Sequence, residues 1–219
     1  NDTSFVHDEV VTDKRNPRVN ADGPFYGVSE SDGVLVVVDP NTHVARELEV
    51  PMRTRGEAIH DFVTSPFWGD EEVFRSQNAA DTHNPMMDHK GRVWMTSRVR
   101  IESNTDDCKA GSTNPSAEYF PLNSSSRHVS YFDPDTEEMT LIDTCYSTHH
   151  LQFASDSDDT LWFSGDTQAV GWINTRLWDE TGDELGSQGW CPTVIDTNGD
   201  GVITRPWNEP GQAPVAGQD

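Results

Sequence analysis

Basic residues are scarce in this chain: 15 lysines and arginines stand against 38 aspartates and glutamates in 219 residues, a formal charge of −23. So acidic a surface repels phosphate backbones and argues against a nucleic-acid partner; it suits solubility in a salty medium or the holding of divalent cations. No run of about 18 apolar residues occurs, so no membrane-spanning helix is expected. The signatures GxSxG and HExxH, the Walker loop and the dinucleotide fingerprint are all missing, which leaves hydrolase, nucleotide and zincin readings without support. Cysteine is rare too, with Cys108, Cys145 and Cys191 alone, and none lies in a CxxC or CxxCH pattern. That spacing excludes a zinc ribbon and a covalently attached c-type haem. In an exported protein one disulfide and one leftover thiol are expected, with Cys108–Cys145 the preferred pair because both end strand-rich segments. In a cytosolic protein all three are ordinary thiols, so the pairing stays open. No signal peptide is visible and the first residue is Asn rather than Met. The expectation is a chain that starts after a cleavage, or a fragment.

Turn formers and aromatics are plentiful. There are 16 Gly, 13 Pro and seven Trp, while apolar residues make up 33% of the chain. That mix suits many short strands joined by polar turns. Two hairpins match one another. Val36-Val37-Val38-Asp39-Pro40-Asn41-Thr42 leads into Val44–Val50, and Val129–Phe132 followed by Asp133-Pro134-Asp135-Thr136 leads into Glu138–Asp143. In both, Pro fixes φ in the turn while Asp and Thr hydrogen-bond the turn backbone. Val170–Thr175 is a degenerate third copy. A second unit alternates with the first: His83–Asp88, a Lys90-Gly91 turn and Val93-Trp94-Met95-Thr96, then His150–Ala154, an acidic turn and Leu161-Trp162-Phe163-Ser164.

A His-strand, a Trp-strand and a DPxT hairpin in that order make four antiparallel strands, the composition of one β-propeller blade. The fold expected is therefore all-β, a partial β-propeller of about three to four four-stranded blades with long insertions, filling 1–205. Blade 1 is partial and ends near 50, blade 2 covers about 82–143, and blade 3 about 148–195. Residues 51–81 and 101–126 are insertions, a calcium-type loop lies at 196–204, and 206–219 reads as a linker or tail. A closed propeller takes roughly four to eight blades. The remainder of the ring is thus expected from further sequence, a second copy or a partner chain. Chance similarity of two hairpins within a β-sandwich is the competing reading.

The pattern His-x-x-x-x-Asp-x-x-Gly-x-Val-Trp-Met-Thr from His83 to Thr96 resembles the blade repeat of streptogramin B lyase-like propellers, a class shared with quinoprotein-like and gluconolactonase-like propellers. More closely, His83–Met86, Gly91–Trp94, Asp143–Cys145, Thr148–Leu151, Val170–Trp172 and Ser187–Trp190 resemble a group of large, poorly characterised exported bacterial propeller proteins. The resemblance spans most of 6–209. It implies a periplasmic or extracellular location and a segment belonging to a longer chain. The lyase likeness covers single blade repeats, so its chemistry transfers poorly.

Two sets of residues point to metals. Asp196-Thr197-Asn198-Gly199-Asp200-Gly201-Val202-Ile203-Thr204 follows the first nine positions of an EF-hand-type loop, offering oxygens from Asp196, Asn198, Asp200, the Val202 carbonyl and Thr204 to Ca2+. Trp207 stands where the closing Glu belongs, and Glu209 could replace it. A plain Asx/Gly turn is the alternative. His83 and His150 open equivalent strands, which in a propeller would converge near the axis. With His149 and His60 beside them, they suit a transition-metal site, a general base, or simple hydrogen bonding to loop backbone. Arg98 and Arg100 are candidates to hold an anionic substrate, with His83, His150 and Arg98 forming the catalytic set if the protein is an enzyme. His7, His43, His89 and His128 read as solvated residues of turns and tails. Trp94, Trp162 and Trp172 read as packing between blades. Two functions follow. One is a calcium-stabilised binding or scaffold propeller. The other is a metal-dependent enzyme, lyase-like or an oxidoreductase, with an axial histidine site.

Overall fold

A computed structural model describes residues 6–30, 32–54, 60–64, 72–76, 80–164 and 169–193, with backbone alone for 60–64 and 72–76. The described chain is all-β, built on three four-stranded antiparallel sheets. The first holds β1 (Asp8–Val10), β2 (Phe25–Ser29), β3 (Val34–Asp39) and β4 (Val44–Glu49), in that order. A hairpin of β5 (His60–Thr64) and β6 (Glu72–Ser76) follows. The second sheet orders β7 (His83–Met87), β8 (Val93–Ser97), β9 (His128–Asp133) and β10 (Glu138–Ile142). The third orders β11 (His150–Phe153), β12 (Thr160–Ser164), β13 (Ala169–Asn174) and β14 (Gln188–Pro192). Two short helices lie in connections: α1 (Pro115–Tyr119) between β8 and β9, and α2 (Thr175–Thr181) between β13 and β14.

The matched turns are built alike. Asp39 Oδ1 accepts from Asn41 N–H at 2.8 Å and Asp133 Oδ1 from Asp135 N–H at 2.9 Å. Each turn closes on a left-handed residue, His43 or Glu137, both at φ 58°. The turns between the His- and Trp-strands also correspond. Asp88 Oδ1 accepts from Arg92 N–H (3.0 Å) and Asp156 Oδ1 from Thr160 N–H (2.9 Å), with Gly91 and Asp159 at positive φ three residues after each aspartate. The third sheet departs from the pattern. Where the other two have a DPxT turn, α2 carries the chain across, capped by the Asn174 side chain at Leu177 N–H and ended by left-handed Gly182.

The second sheet is apolar on both faces, and the side-chain period of two divides its residues. Val93, Met95 and Phe132 pack with Tyr26, Val28, Leu35 and Val37 of the first sheet. Trp94, Val129 and Ile142 pack with Leu151, Phe153, Leu161, Phe163 and Ile173 of the third. Buried faces on both sides explain why β8 reads as a continuous apolar run rather than an alternating one. The opening strands are neighbours, β1 beside β7 and β7 beside β11. On the far face of the third sheet, Trp162 is paired in register with Trp172 and left 41% exposed. Of the three tryptophans expected in packing between sheets, Trp94 is the one the described residues enclose. Cys108 and Cys145 lie at disulfide distance with Cα atoms 5.3 Å apart, tying the β8–β9 connection to the segment after β10, while Cys191 stands outside a pair. No helix among the described residues is long and apolar enough to cross a membrane.

Candidate metal centre

Because β1, β7 and β11 lie side by side, the residues at their starts meet. His83 opens β7, His150 opens β11 behind His149, and Asp8 opens β1 behind His7. Ring centroids are 4.4 Å apart for His83–His149, 5.3 Å for His83–His150, 4.2 Å for His149–His150 and 5.0 Å for His7–His83. Two triads have their donor atoms within 4.8 Å of one another: His83 with His149 and His150, and His7 with Asp8 and His83. His83 is common to both.

The local backbone is shaped for this meeting. Asn84 sits in the left-handed region at φ 46°, which Asn tolerates better than most residues, and the β7–β8 register shifts beside it. Its side-chain carbonyl accepts from Leu151 N–H at 2.9 Å, and its own N–H reaches Asp8 Oδ2 at 3.3 Å, so one residue pins β7 to both neighbours. The buried Thr96 hydroxyl lies 3.1 Å from the His83 carbonyl and 3.0 Å from the His149 carbonyl, able to donate to one at a time. His83 is buried while His150 is exposed, so the cluster runs from the interior to the surface. Burial first, then the charges of Arg127 and His149, pull the His83 pKa down to about 4. At neutral pH the ring is uncharged and offers a lone pair, the form that ligates metals.

The expected arginines have internal partners. Arg98 Nη2 lies 3.3 Å from Asp81 Oδ2, and Arg127 holds Asp81 through two contacts of 2.9 Å while also reaching Glu30. Arg100 turns inward, donating to Asp143 Oδ2 (2.7 Å), Asn104 Oδ1 (2.7 Å) and Ser125 Oγ (3.0 Å). The His60 side chain and the loop set Asp196, Asn198, Asp200, Val202 and Thr204, with Glu209, lie outside the described residues.

One reading of the histidines needs an addition and another a correction. His7 is exposed, as expected of a solvated residue, but its ring also stands 5.0 Å from that of His83, with its Nδ1 3.2 Å from Asp8 Oδ2. His128 is not solvated but fully buried at the start of β9. Its Nδ1 accepts from Val99 N–H at 3.0 Å, so in the neutral ring Nε2 carries the hydrogen and faces Ser125 Oγ at 3.0 Å. Asp143 Oδ1, 3.6 Å from Nε2, has no hydrogen-bond partner among the described residues. These three residue types suggest a nucleophile triad, yet the lone pair that would deprotonate Ser125 is already occupied by the Val99 amide. The set is structural.

Burial, with Arg100, Arg98 and Arg53 nearby, lowers the His128 pKa to about 3. Above the unfolded value, near 6.5, this histidine is neutral in both states and contributes nothing. As pH falls below that value the unfolded chain gains a proton that the folded chain refuses, so stability is lost progressively down to the folded pKa. The slope is about 1.4 kcal/mol per pH unit, which gives roughly 3 kcal/mol by about pH 4.5. Urea denaturation of the protein and of His128→Asn at about pH 7 and pH 4.5 measures the difference. An acid-induced loss equally large in the variant would refute the assignment.

No family model matches this chain, and no curated protein matches it in sequence.

Proposed function

We propose that this protein is an exported segment of a β-propeller whose function is to bind a transition metal at the meeting point of its opening strands. The observation that carries the reading is the approach of three imidazoles, His83, His149 and His150, from two adjacent strand starts. All-nitrogen donors of this kind suit Cu(II), Zn(II) or Ni(II). Asp8 Oδ2, 3.0 Å from His83 Nδ1, supplies the carboxylate that typically orients a ligating histidine.

The blade arrangement is supported by the repeated register. Tyr26↔Val37, Trp94↔Tyr131 and Trp162↔Trp172 hold corresponding places in the three sheets. The first two pairs pack toward the next sheet along the chain, and the third has no following sheet among the described residues. In this reading the remaining blades come from further sequence, a second copy or a partner chain. The disulfide-distance pair and the acidic surface favour a periplasmic or extracellular setting. Calcium at the D-x-N-x-D-G loop accompanies the reading as a structural ion, supported by sequence spacing alone.

The test is titration of metal-free protein with Zn(II), Cu(II) and Ni(II), followed by calorimetry and by elemental analysis of the dialysed product. Retention of at least one equivalent with micromolar or tighter affinity is expected, in the presence of excess Ca2+. Dialysis returning protein free of all three metals would remove the proposal. A rise in melting temperature with Ca2+ alone would then favour the calcium-stabilised scaffold.

A further inference from the structure

We infer that the centre is dinuclear, with the His83 imidazole lying between two metal ions: one shared with His149 and His150, the other with His7 and Asp8. The inference rests on the metal-binding reading above and deepens it. An imidazole carries two ring nitrogens that point in different directions, and His83 is the residue common to both triads. Its Nδ1 lies 3.0 Å from Asp8 Oδ2, and His7 Nδ1 lies 3.2 Å from the same oxygen. Adjacent ligands around one ion, with bonds of about 2.1 Å, stand roughly 3.0–3.4 Å apart. Both distances to Asp8 Oδ2 fall in that range, and the His7 and His83 donor atoms lie within 4.8 Å of one another. With Nδ1 engaged on the Asp8 side, Nε2 is the nitrogen His83 can offer to His149 and His150.

The simpler arrangement is a single ion at His83, His149 and His150, with Asp8 only orienting His83. His7 favours the dinuclear one. An orienting carboxylate needs no second imidazole on the same oxygen, yet the half-exposed His7 turns its Nδ1 there. The Asn84 N–H, 3.3 Å from Asp8 Oδ2, holds the carboxylate at the junction. The two half-sites differ in chemistry. The three imidazoles favour Cu(II), whereas two imidazoles and a carboxylate suit Zn(II), Fe(II) or Mn(II). Bridging requires the proton on His83 Nδ1 to leave as the second ion enters. One proton is released to solvent per second ion bound, no electron moves, and the bridging imidazolate adds its negative charge to that of Asp8 between the two cations.

The test uses the full, metal-free chain in excess Ca2+, titrated with Cu(II) and, separately, Zn(II). Two equivalents are expected. Asp8→Asn and His7→Ala should each keep one equivalent, and the double variant His149→Ala/His150→Ala should keep the other. Circular dichroism confirms that the variants fold. With Cu(II), the electron paramagnetic resonance signal should grow through the first equivalent and then shrink through the second, because spins coupled through an imidazolate cancel. Saturation at one equivalent, with Asp8→Asn merely weakening it, overturns the dinuclear centre and leaves the mononuclear one standing. Two equivalents with a doubled signal overturn the bridge. No bound metal removes the metal-binding reading itself.

Discussion

His83→Ala should abolish tight transition-metal binding, with affinity falling at least 100-fold, while the control His43→Ala leaves it unchanged. His43 lies in the exposed turn between β3 and β4, far in sequence from the cluster. The size follows from what one ligand contributes. Structural zinc sites with four protein ligands are worth about 10–16 kcal/mol, so one ligand accounts for about 3 kcal/mol, a factor of 100 or more. His83 has an effect beyond its share because it belongs to both triads, so neither half-site remains whole without it. Calorimetric titration of wild type and variant with Zn(II) or Cu(II) measures the loss. His83 is buried against Asp8, so the melting temperature of each variant has to be compared as well. A folded His83→Ala protein with wild-type affinity would mean that the imidazoles meet for reasons of packing alone.

Half of this cluster was legible in the sequence. His83 and His150 stand at the same place in a repeated strand–turn–strand unit, and residues at the same place in neighbouring sheets are brought together when the sheets pack side by side. The strands themselves were legible for the same reason: β7–β8, β9–β10, β11–β12 and β3–β4 all carry a turn whose side-chain hydrogen bonds are specified locally by Asp, Pro, Thr or Gly. His7 and Asp8 had no such signal. The strand that carries Asp8 is three residues long, shows no apolar alternation, and is separated from β2 by a polar connection, so Asp8–Val10 resembles a tail until it pairs with Phe25–Ser29. The first sheet therefore has four strands, although its sequence looks like part of a repeat.

His128 was hidden differently. It follows Ser124-Ser125-Ser126-Arg127, a run that reads as loop, and what buries it is a set of distant groups: the Val99 amide, Asp143 and the strands β8 and β10. No local pattern encodes contacts of that range. The α2 crossing was also illegible, since Asn174-Thr175 resembles the remnant of a DPxT turn. The helix arises because Asn174 caps it and Gly182 ends it, leaving β14 to return from Gln188.

The aspartates of the two matched turns, Asp88 and Asp156, should differ sharply in their importance. Asp88→Ala is expected to cost about 5 kcal/mol of stability, and Asp156→Ala about 1 kcal/mol. By sequence they are equivalent, each accepting the backbone N–H four residues on. Asp156 is exposed and does little else. Asp88 is fully buried and also accepts from Lys90 N–H (2.9 Å), Arg92 Nε (2.7 Å) and Trp94 Nε1 (2.8 Å). Arg92 in turn lies over the Trp94 and Tyr131 rings and reaches Asp179 of α2 at 2.6 Å, so the carboxylate anchors a chain of contacts from the second sheet to the third. Removing it strands a buried indole N–H and leaves a buried guanidinium with half of its counter-charge. Asp88→Asn keeps one acceptor and should fall between the two. Because unfolding separates β7 from β11, Asp88→Ala should also weaken metal binding indirectly, in proportion to the fraction unfolded. Chemical denaturation of the three variants is the measurement; equal losses at Asp88 and Asp156 would show that the buried network adds nothing to the turn.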